Sequence, residues 1–453
     1  MQACPRITST TKSSGVAVRE QSSRIDPIVA GLLLLTLILR IGMIVVDGER
    51  LQSDPDAYVR LGTMLSEGKG YCAADGHTPT AFRPVLYPIL LAMPLAAGIS
   101  APIAVAGLNI LAALIFVSAV WRLSLALGMN RTEATVAGLV AACDPMLTRY
   151  TTEPMTENVC AALLTLSVTF LIPFLQQALT SPPRRNLSKA TAAGILLGLS
   201  ALCRPIVLVC VVLMTVTMML IQWRETSRQP AKRFRPTAWM VFPAIVAAIT
   251  VSPWIIRNAV QFHALIPATS HGGYTLLLGN NRVFYNEVVS GESSVWDGAS
   301  LARWQTDLHD QMESSGIDVT KEQAVDQWMY ARARQEIKLH PREFSKAILL
   351  RWKRFWALTP TSANQSVPRL LLNVVGFWYG LLGIGLLMGL VAWRRHPSLW
   401  LMLSAAASFL LVHSFYWTNT RMRAPLTGIL VVISVAGWFR LRQRLSGTVP
   451  PAE

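Results

Sequence analysis

The sequence has few charged residues. Only 15% of its 453 positions are Asp, Glu, Lys or Arg, whereas 52% are hydrophobic. This composition excludes an ordinary soluble domain, in which about 25% of residues are charged. Acidic residues are scarcer than basic ones, 25 against 41, so the formal net charge is +16. Because most basic residues fall in short segments between apolar runs, we attribute the charge to membrane orientation and predict no nucleic-acid partner.

Cysteines and nucleotide-binding motifs are also scarce. The six cysteines are scattered and form no CxxC pair, which argues against a disulfide framework or a zinc site. Neither a GxGxxG sequence nor a P-loop is present, so a nucleotide-bound donor is disfavoured. We predict no cofactor, and the sequence leaves a divalent metal open.

What is present is a series of long apolar runs. A helix needs about 20 apolar residues to cross a bilayer, and ten runs approach or reach this length. They lie at about 26–46, 102–124, 132–146, 157–176, 189–203, 205–223, 237–256, 370–392, 398–416 and 425–440. If each run crosses once, nearly all the basic segments fall on one side, which is the cytoplasm. The sequence therefore predicts an all-α, multi-pass membrane protein of about ten transmembrane helices, with both termini in the cytoplasm.

A further apolar stretch, residues 83–98, would break this alternation if it crossed. It contains Pro84, Pro88 and Pro94. It also has under about 15 apolar residues, so we predict that it lies on the outer face as a juxtamembrane segment.

The predicted organisation places every candidate active-site segment outside the cytoplasm. In chain order it comprises a cytoplasmic polar tail (1–25), a membrane core that includes the first outer loop at 47–101 (26–256), a small extracytoplasmic loop domain (257–369), C-terminal transmembrane helices (370–441) and a cytoplasmic tail (442–453). The first apolar run lacks a small-residue cleavage site, so we expect it to stay as a membrane anchor. Short outer turns at 147–156 and 417–424 complete the outer face.

Two carboxylates, Asp54 and Asp56, follow the first apolar run closely. At the membrane surface, either one is a candidate general base that activates a water-soluble acceptor against a lipid-borne donor. The alternative for each is a structural role. Asp54 followed by Pro55 is typical of a helix N-cap, and Asp56 would then lie in the first turn, where the helix dipole favours an acid. The sequence leaves these alternatives open.

Glu153 and Glu157 are four residues apart in RYTTEPMTENV, and we predict that they share one helix face at the outer end of a span. Two like charges at this spacing cost stability unless a cation or a substrate lies between them. We therefore predict a functional role for at least one of the two glutamates.

Several arginines occupy positions where a positive charge is unusual. Arg40 lies inside the first span, either as a functional residue or as one whose side chain extends to the head groups. Arg257 ends a span at the outer surface, and Arg421 and Arg423 lie in a short outer turn. Basic residues on this face indicate an anionic ligand such as a phosphate. Asn280, in HGGYTLLLGNN, has the donors and acceptors that suit a sugar, and the glycines of this segment would let the backbone approach a ligand.

Taken in order, these motifs resemble the bacterial GT-C glycosyltransferases, in particular the protein O-mannosyltransferase and aminoarabinose transferase group. The likeness runs through most of residues 26–440. It rests on Asp54 with Tyr58, on TAFRPVLYPILLA with Arg83, on MTENV with Glu157, and on LSALCRPIVL, SPWIIRN, HGGYTLLLGNN and TRMRAPL.

The resemblance implies a bundle of membrane helices with an outer-face cavity, a sugar donor carried on polyprenyl phosphate, and a catalytic acid in the first outer loop. By its spacing to Tyr58 this acid is Asp54. Asp56 is the alternate, because Pro55 departs from the usual pattern next to the first acid. The second outer-loop acid of the family corresponds to Glu157.

On this basis we predict an inverting glycosyltransferase at the extracytoplasmic face of the cell (cytoplasmic or inner) membrane, with a lipid, glycan or protein as acceptor. Arg257, Arg421 and Arg423 would hold the donor phosphate, as fixed cations stabilise a departing oxyanion. Further donor or substrate contacts are predicted for Arg40, Arg83 and Asn280. The alternative is a transporter or flippase of a lipid-linked glycan, for which paired internal repeats are typical; we find none in the sequence.

Overall fold

The computed structural model describes residues 26–180, 186–228, 237–291, 296, 298–360 and 368–446. The predicted tail at 1–25 and the chain beyond 446 lie outside these residues. Across the described ranges the backbone is helical with no strand, and one isolated bridge joins Cys72 to Pro79. The all-α prediction is confirmed.

The helices are numbered here along the chain. They are α1 (Pro27–Asp47), α2 (Tyr58–Ser66), α3 (Leu86–Ala96), α4 (Ala101–Ala126), α5 (Arg131–Ala142), α6 (Pro145–Arg149), α7 (Glu157–Thr180), α8 (Leu187–Cys203), α9 (Ile206–Arg228), α10 (Phe242–Phe262), α11 (Gly272–Leu278), α12 (Arg282–Phe284), α13 (Gly298–Ser314), α14 (Glu322–Leu339), α15 (Pro341–Phe355), α16 (Arg369–Ala392), α17 (Pro397–His413) and α18 (Thr427–Leu445). Single 3₁₀ turns at Tyr150–Thr152 and Thr420–Leu426 lead into α7 and α18.

Seven of the described helices are long and apolar enough to cross a membrane, namely α1, α4, α7, α9, α10, α16 and α18. α8 and α17 are also apolar but have only 17 residues each. At about 1.5 Å per residue they span roughly 26 Å, slightly less than a hydrocarbon core of about 30 Å. Fewer helices therefore meet both criteria than the ten crossings predicted from the sequence, while the multi-pass membrane class is confirmed.

The third predicted crossing forms two helices, α5 and α6, instead of one. Asp144 interrupts the run by capping α6 with its side chain. The two helices still run alongside α1. Arg131 pairs with Asp26 at one end, and Arg149 lies 3.0 Å from Asp47 at the other. Together α5 and α6 cover the length of a membrane helix in a broken form.

Glycines bring α16 and α18 into close contact. A β-carbon at Gly389 would overlap the carbonyl oxygen of Ile433, and one at Gly437 would overlap that of Gly385. Small residues are typical of contacts between membrane helices, because close backbone approach supplies van der Waals contact where lipid removes the hydrophobic driving force. The remaining surface of α16 is largely exposed and apolar, as contact with lipid requires.

The segments predicted to lie on the outer face contact one another and the membrane helices. The first outer loop contains α2 and α3, and the 11 residues of α3 reach only about 16 Å, too short for α3 to cross a bilayer by itself. The segment from α11 to α15 has its own apolar core, to which Phe284, Trp304 and Met329 contribute. Glu322, at the start of α14, accepts a hydrogen bond from the Thr80 hydroxyl at 2.9 Å. This bond joins the outer segment to the first outer loop.

Candidate active site

Asp56 and Arg83 form a pair in the first outer loop. Nη2 of Arg83 lies 2.7 Å from a carboxylate oxygen of Asp56, and its Nε donates to the Asp56 carbonyl oxygen at 3.0 Å. The two side chains are 19% and 18% exposed, respectively. Ala57, which follows, has φ 61° and ψ 22°, a left-handed conformation that costs a non-glycine residue roughly 1–2 kcal/mol. The backbone thus turns sharply just after Asp56, before α2 begins.

Asp54 has a different role in the same turn. Its two carboxylate oxygens accept hydrogen bonds from the backbone N–H groups of Val59 at 3.1 Å and Arg60 at 2.9 Å. These N–H groups lie in the first turn of α2 and have no partner within the helix. The predicted capping role is therefore observed, although the helix begins at Tyr58 and not at Pro55. Asp56 accordingly precedes the helix instead of lying in its first turn.

Glu157, the first residue of α7, lies between two arginines. One of its carboxylate oxygens is 2.6 Å from Nη2 of Arg204 and 3.8 Å from Nε of Arg421. Arg421 also approaches the other acid, since its Nη2 is 3.9 Å from Oδ2 of Asp56. The five side chains that converge here, called the acid–arginine cluster below, are Asp56, Arg83, Glu157, Arg204 and Arg421.

The acid–arginine cluster has three positive and two negative side chains, so with all five ionised its net charge is +1. Its internal pairing is also incomplete. Oε2 of Glu157 and Nε of Arg421 are buried and have no hydrogen-bond partner in the described structure. Leaving a buried charge without a partner is costly. An anionic group that accepted a hydrogen bond from Arg421 would balance the charge and complete the pairing on that side.

Arg204 is not among the site residues predicted from the sequence. It lies in the one-residue junction between two apolar runs, at the end of α8. The orientation rule that drew attention to Arg421 applies equally to this position, because both stand at the predicted outer ends of spans. The position of Arg204 between two apolar runs was therefore the signal in the sequence that could have identified it. Nε of Arg204 also donates to the Thr156 hydroxyl at 2.9 Å, which fixes the guanidinium beside Glu157.

Glu153 lies outside the acid–arginine cluster. The prediction that it shares a helix face with Glu157 is wrong, because Glu153 is in an extended conformation and α7 begins only at Glu157. Its carboxylate instead lies 3.3 Å from Arg50 and 3.0 Å from Arg149. Both arginines also contact Asp47, at 2.9 and 3.0 Å. This closed set of ion pairs joins the outer end of α1 to that of α6.

Arg40 and Arg423 are buried, and the structure places both among other partners. Arg423 donates to the carbonyl oxygens of Phe355 at 3.1 Å and Ala357 at 2.7 Å, and its guanidinium lies 4.6 Å from the ring centre of Tyr379. Arg40 donates to the Thr151 hydroxyl at 3.3 Å. Among the described ion pairs, neither arginine contacts Asp56 or Glu157.

Arg257 and Asn280 are held by protein groups. Arg257 donates to the carbonyl oxygens of Thr80 at 2.8 Å and Tyr71 at 2.9 Å. The Asn280 amide is fully buried and donates to two backbone carbonyls, while its oxygen accepts from Tyr285 at 3.1 Å and Arg351 at 2.8 Å. These contacts favour structural roles for both residues over the predicted phosphate and sugar contacts.

The glycines of HGGYTLLLGNN also serve contacts within the protein. A β-carbon at Gly272 would overlap the Tyr330 hydroxyl, and one at Gly273 would overlap the carbonyl oxygen of Asp326. These glycines therefore let α11 approach α14 closely, which corrects the expectation that they admit a ligand.

A cavity of about 1070 Å³ opens beside the acid–arginine cluster. It lies between the first outer loop, the outer end of α10 and the start of α14, and both Ala57 and Arg83 line it. In the described residues no three His, Cys, Asp or Glu side chains gather as a metal site requires. The polar groups nearest the two acids are arginines.

No protein-family model matches the chain, and a search of curated proteins by sequence finds no match. Solved structures do match. The archaeal oligosaccharyltransferase AglB from Archaeoglobus fulgidus, in complex with an inhibitory peptide and a dolichol-phosphate, aligns with TM-score 0.54 at 13% identity, over 94% of this chain and 52% of AglB. The Archaeoglobus fulgidus oligosaccharyltransferase tethered to an acceptor peptide gives TM-score 0.54 and 12% identity, over 93% of this chain and 50% of that protein.

ArnT from Cupriavidus metallidurans bound to undecaprenyl phosphate aligns with TM-score 0.41 and 13% identity, over 93% of this chain and 78% of ArnT. The chain spans about half the length of the oligosaccharyltransferase that it matches. At these identities the likeness to AglB shows a shared helical fold alone.

Proposed function

We propose that the chain is a membrane glycosyltransferase that transfers a sugar from a polyprenyl-phosphate donor to an acceptor at the extracytoplasmic face. The observation that carries this proposal is the acid–arginine cluster. It combines a partly exposed acid, Asp56, with a fully buried acid, Glu157, and three arginines. The shared fold with a protein solved in complex with a dolichol-phosphate agrees with a lipid-borne donor.

The donor phosphate is assigned to Arg421 and Arg204. A sugar phosphate leaves as an anion, and fixed cations stabilise the charge that develops on it. Arginine suits this task, because its planar fork donates two parallel hydrogen bonds to a phosphate. Glu157 holds Arg204 through the 2.6 Å contact and lies 3.8 Å from Arg421. We therefore assign Glu157 the role of positioning the two arginines.

Asp56 is assigned as the general base in preference to Asp54. Both oxygens of Asp54 are engaged by the N–H groups of α2, whereas the ion partner of Oδ2 of Asp56 among the described residues is the distant Arg421 at 3.9 Å. In the proposed step Asp56 accepts the proton of the acceptor hydroxyl as the acceptor oxygen bonds to the anomeric carbon. The bond from that carbon to the phosphate oxygen breaks, and the polyprenyl phosphate leaves with the electron pair. Attack opposite the phosphate inverts the configuration.

A transporter or flippase of a lipid-linked glycan is the second candidate function. It is favoured by one observation, the broken α5–α6 pair with the buried Asp144 at the break. Interrupted helices with polar groups are typical of transporter binding sites. A transporter would move the glycan without breaking the bond between sugar and phosphate.

The test compares cells that lack the protein with cells complemented by the wild type, Asp56→Asn or Asp54→Asn. Mass spectrometry of envelope glycolipids, glycans and glycoproteins should show one hexose, pentose or amino sugar missing without the protein and with Asp56→Asn. The matching polyprenyl-phosphate sugar should accumulate, and Asp54→Asn should restore the wild-type envelope. Identical envelopes with Asp56→Asn and wild type would reject Asp56 as the base, and wild-type envelopes with both Asp56→Asn and Asp54→Asn would reject the transferase and favour transport.

A further inference from the structure

The outer cavity reaches the acid–arginine cluster at Arg83, whereas Arg204 and Arg421 of the proposed phosphate site do not line it. Ala57 and Arg83, the two neighbours of Asp56, line this cavity. Arg421, in contrast, approaches the other oxygen of Asp56 and leads toward Glu157. Asp56 therefore stands between a cavity and an anion-binding pair. An inverting base needs this arrangement, because the acceptor and the leaving phosphate lie on opposite faces of the sugar.

One wall of the cavity is a row of flat rings. The ring centres of Phe82 and His271 are 4.2 Å apart, and those of His271 and Tyr274 are 5.0 Å apart in a stacked arrangement. Burial, together with the positive charge of Arg83, lowers the pKa of His271 to about 3. The imidazole is therefore uncharged at neutral pH, and the row presents a neutral aromatic surface. Such a surface suits the apolar face of a sugar ring.

The opposite wall comes from the start of α14. Two of its acids hold the helix in place. Glu322 accepts hydrogen bonds from the hydroxyls of Thr80 and Ser270, and Asp326 accepts the Gly273 N–H at 2.6 Å. Burial raises the pKa of both carboxyls. These acids are thus already engaged by the protein and fasten α14 to the first outer loop and to α11.

Gln323 and Gln327, on the same stretch of α14, also line the cavity. They are four residues apart and lie on one helix face. Each amide has donors and an acceptor, which matches the hydroxyl groups of a carbohydrate. An acyl chain is a poorer fit, because charged side chains such as Arg60 and Lys321 share the lining. An extended peptide commonly binds by adding to a strand edge, and the described residues contain no strand.

We propose that this cavity is the acceptor site and that the reacting end of the acceptor is a carbohydrate. This proposal rests on the proposed transferase function. One sugar residue packs against the wall formed by Phe82, His271 and Tyr274, while Gln323 and Gln327 bind its hydroxyls. The hydroxyl to be glycosylated points toward Asp56, whether the glycan is free or carried on a lipid or protein.

The first experiment identifies what the transferred sugar is attached to in wild-type envelopes. Methylation and linkage analysis is applied to the component that is missing in Asp56→Asn cells. A bond to another sugar residue is expected. A direct bond to an amino-acid side chain or to a lipid alcohol would overturn the carbohydrate assignment and leave the transferase function standing. Absence of any missing component in cells that lack the protein would instead reject the transferase function itself.

The second experiment tests the residues of the cavity. The double variant Gln323→Ala/Gln327→Ala should lower the amount of transferred sugar about tenfold through the loss of two neutral hydrogen bonds. The matched control is Gln335→Ala, on the same helix but outside the cavity. Each variant is quantified in the membrane, and release of sugar from the donor to water is measured in isolated membranes without added acceptor.

If the cavity binds only the acceptor, the double variant should keep wild-type donor hydrolysis, whereas Asp56→Asn should lose it. Wild-type transfer by the double variant at equal membrane amount would refute the cavity assignment. An equal loss in the Gln335→Ala control would refute it as well, because a general effect on α14 would then explain the result.

Discussion

Arg421 and Arg423 lie in one short turn, but their side chains have different partners. Arg423 donates to two backbone carbonyls and lies over Tyr379, whose hydroxyl donates to Asp144 at 3.2 Å. Arg421 stands among charges at 3.8 and 3.9 Å, beyond ordinary hydrogen-bond distance. The protein supplies hydrogen-bond acceptors for Arg423, whereas Nε of Arg421 has no acceptor in the described structure. Arg421 therefore differs from Arg423 by incomplete pairing next to two acids. Incomplete pairing alone does not mark a ligand site, since Nε and Nη2 of the buried Arg40 also have no hydrogen-bond partner in the described structure.

The largest effect is expected at Asp56, the acid near Arg421. Asp144, the acid that accepts from Tyr379 beside Arg423, is its control. Asp56→Asn should lower the transfer rate by about 10² to 10⁴, because the amide cannot take the proton of the acceptor. Asp144→Asn should keep the rate within a few-fold, since an amide oxygen can still accept from Tyr379 and Leu147. Initial rates with purified protein and the identified donor measure both. Equal losses in the two variants would remove the distinction between the two regions.

The second-largest effect is expected from substitutions of the two arginines in this turn. Arg421→Gln should lower kcat/KM for the donor by about 10² to 10³, in the range for losing one fixed group that stabilises the leaving anion. Arg421→Lys should be intermediate, because lysine keeps the charge but loses the planar fork. Arg423→Gln should instead lower the Tm and leave donor saturation unchanged. If Arg421→Gln keeps the wild-type donor curve in neutral detergent, the phosphate assignment is wrong.

Because Glu157 pairs with Arg204, substitutions at the two positions should have non-additive effects on the free energy of unfolding. Glu157→Gln should lower the free energy of unfolding by about 3 kcal/mol, because it leaves Arg204 buried without its partner. The double variant Glu157→Gln/Arg204→Gln should be less destabilised than the sum of the single variants. Tyr379→Phe, which removes the hydrogen bond to Asp144 beside Arg423, should cost about 1 kcal/mol. Denaturant titration in detergent measures the free energy of unfolding of the wild type and of these variants, with Arg204→Gln as the second single variant. Additive effects of Glu157→Gln and Arg204→Gln would contradict the pairing.

The smallest effect is expected at Asp54. Asp54→Asn keeps one acceptor oxygen for the first turn of α2, and Asp54→Ala should cost about 1 kcal/mol, as the loss of an N-cap does. Activity should stay within a few-fold of the wild type for Asp54→Asn. A rate as low as that of Asp56→Asn would restore Asp54 as the base, as the family spacing implied.

The sequence alone predicted the class of protein and the segments that matter. Apolar length and basic segments act locally, so they indicated helices, their approximate ends and the outer loops before any contact was known. Several membrane helices begin or end within a few residues of the predicted runs. The break between α5 and α6 was not predicted, although Asp144 followed by Pro145 is a local capping signal like Asp54 followed by Pro55. Only the contact of Asp144 with Tyr379 depends on a neighbour more than 200 positions away.

Within the candidate site, the sequence by itself determined that acids and arginines lie at the predicted outer ends of spans, since hydropathy and charge can be read along one chain. Only the tertiary structure decided which of them meet. Asp54 accepts the N–H groups at the start of α2, whereas Asp56 lies just before the left-handed turn at Ala57. Arg204 and Glu157 come together from separate helices, and Arg421 and Arg423 part because their guanidinium groups reach different neighbours. Ion pairing depends on distances of a few ångströms between remote segments, and packing sets those distances.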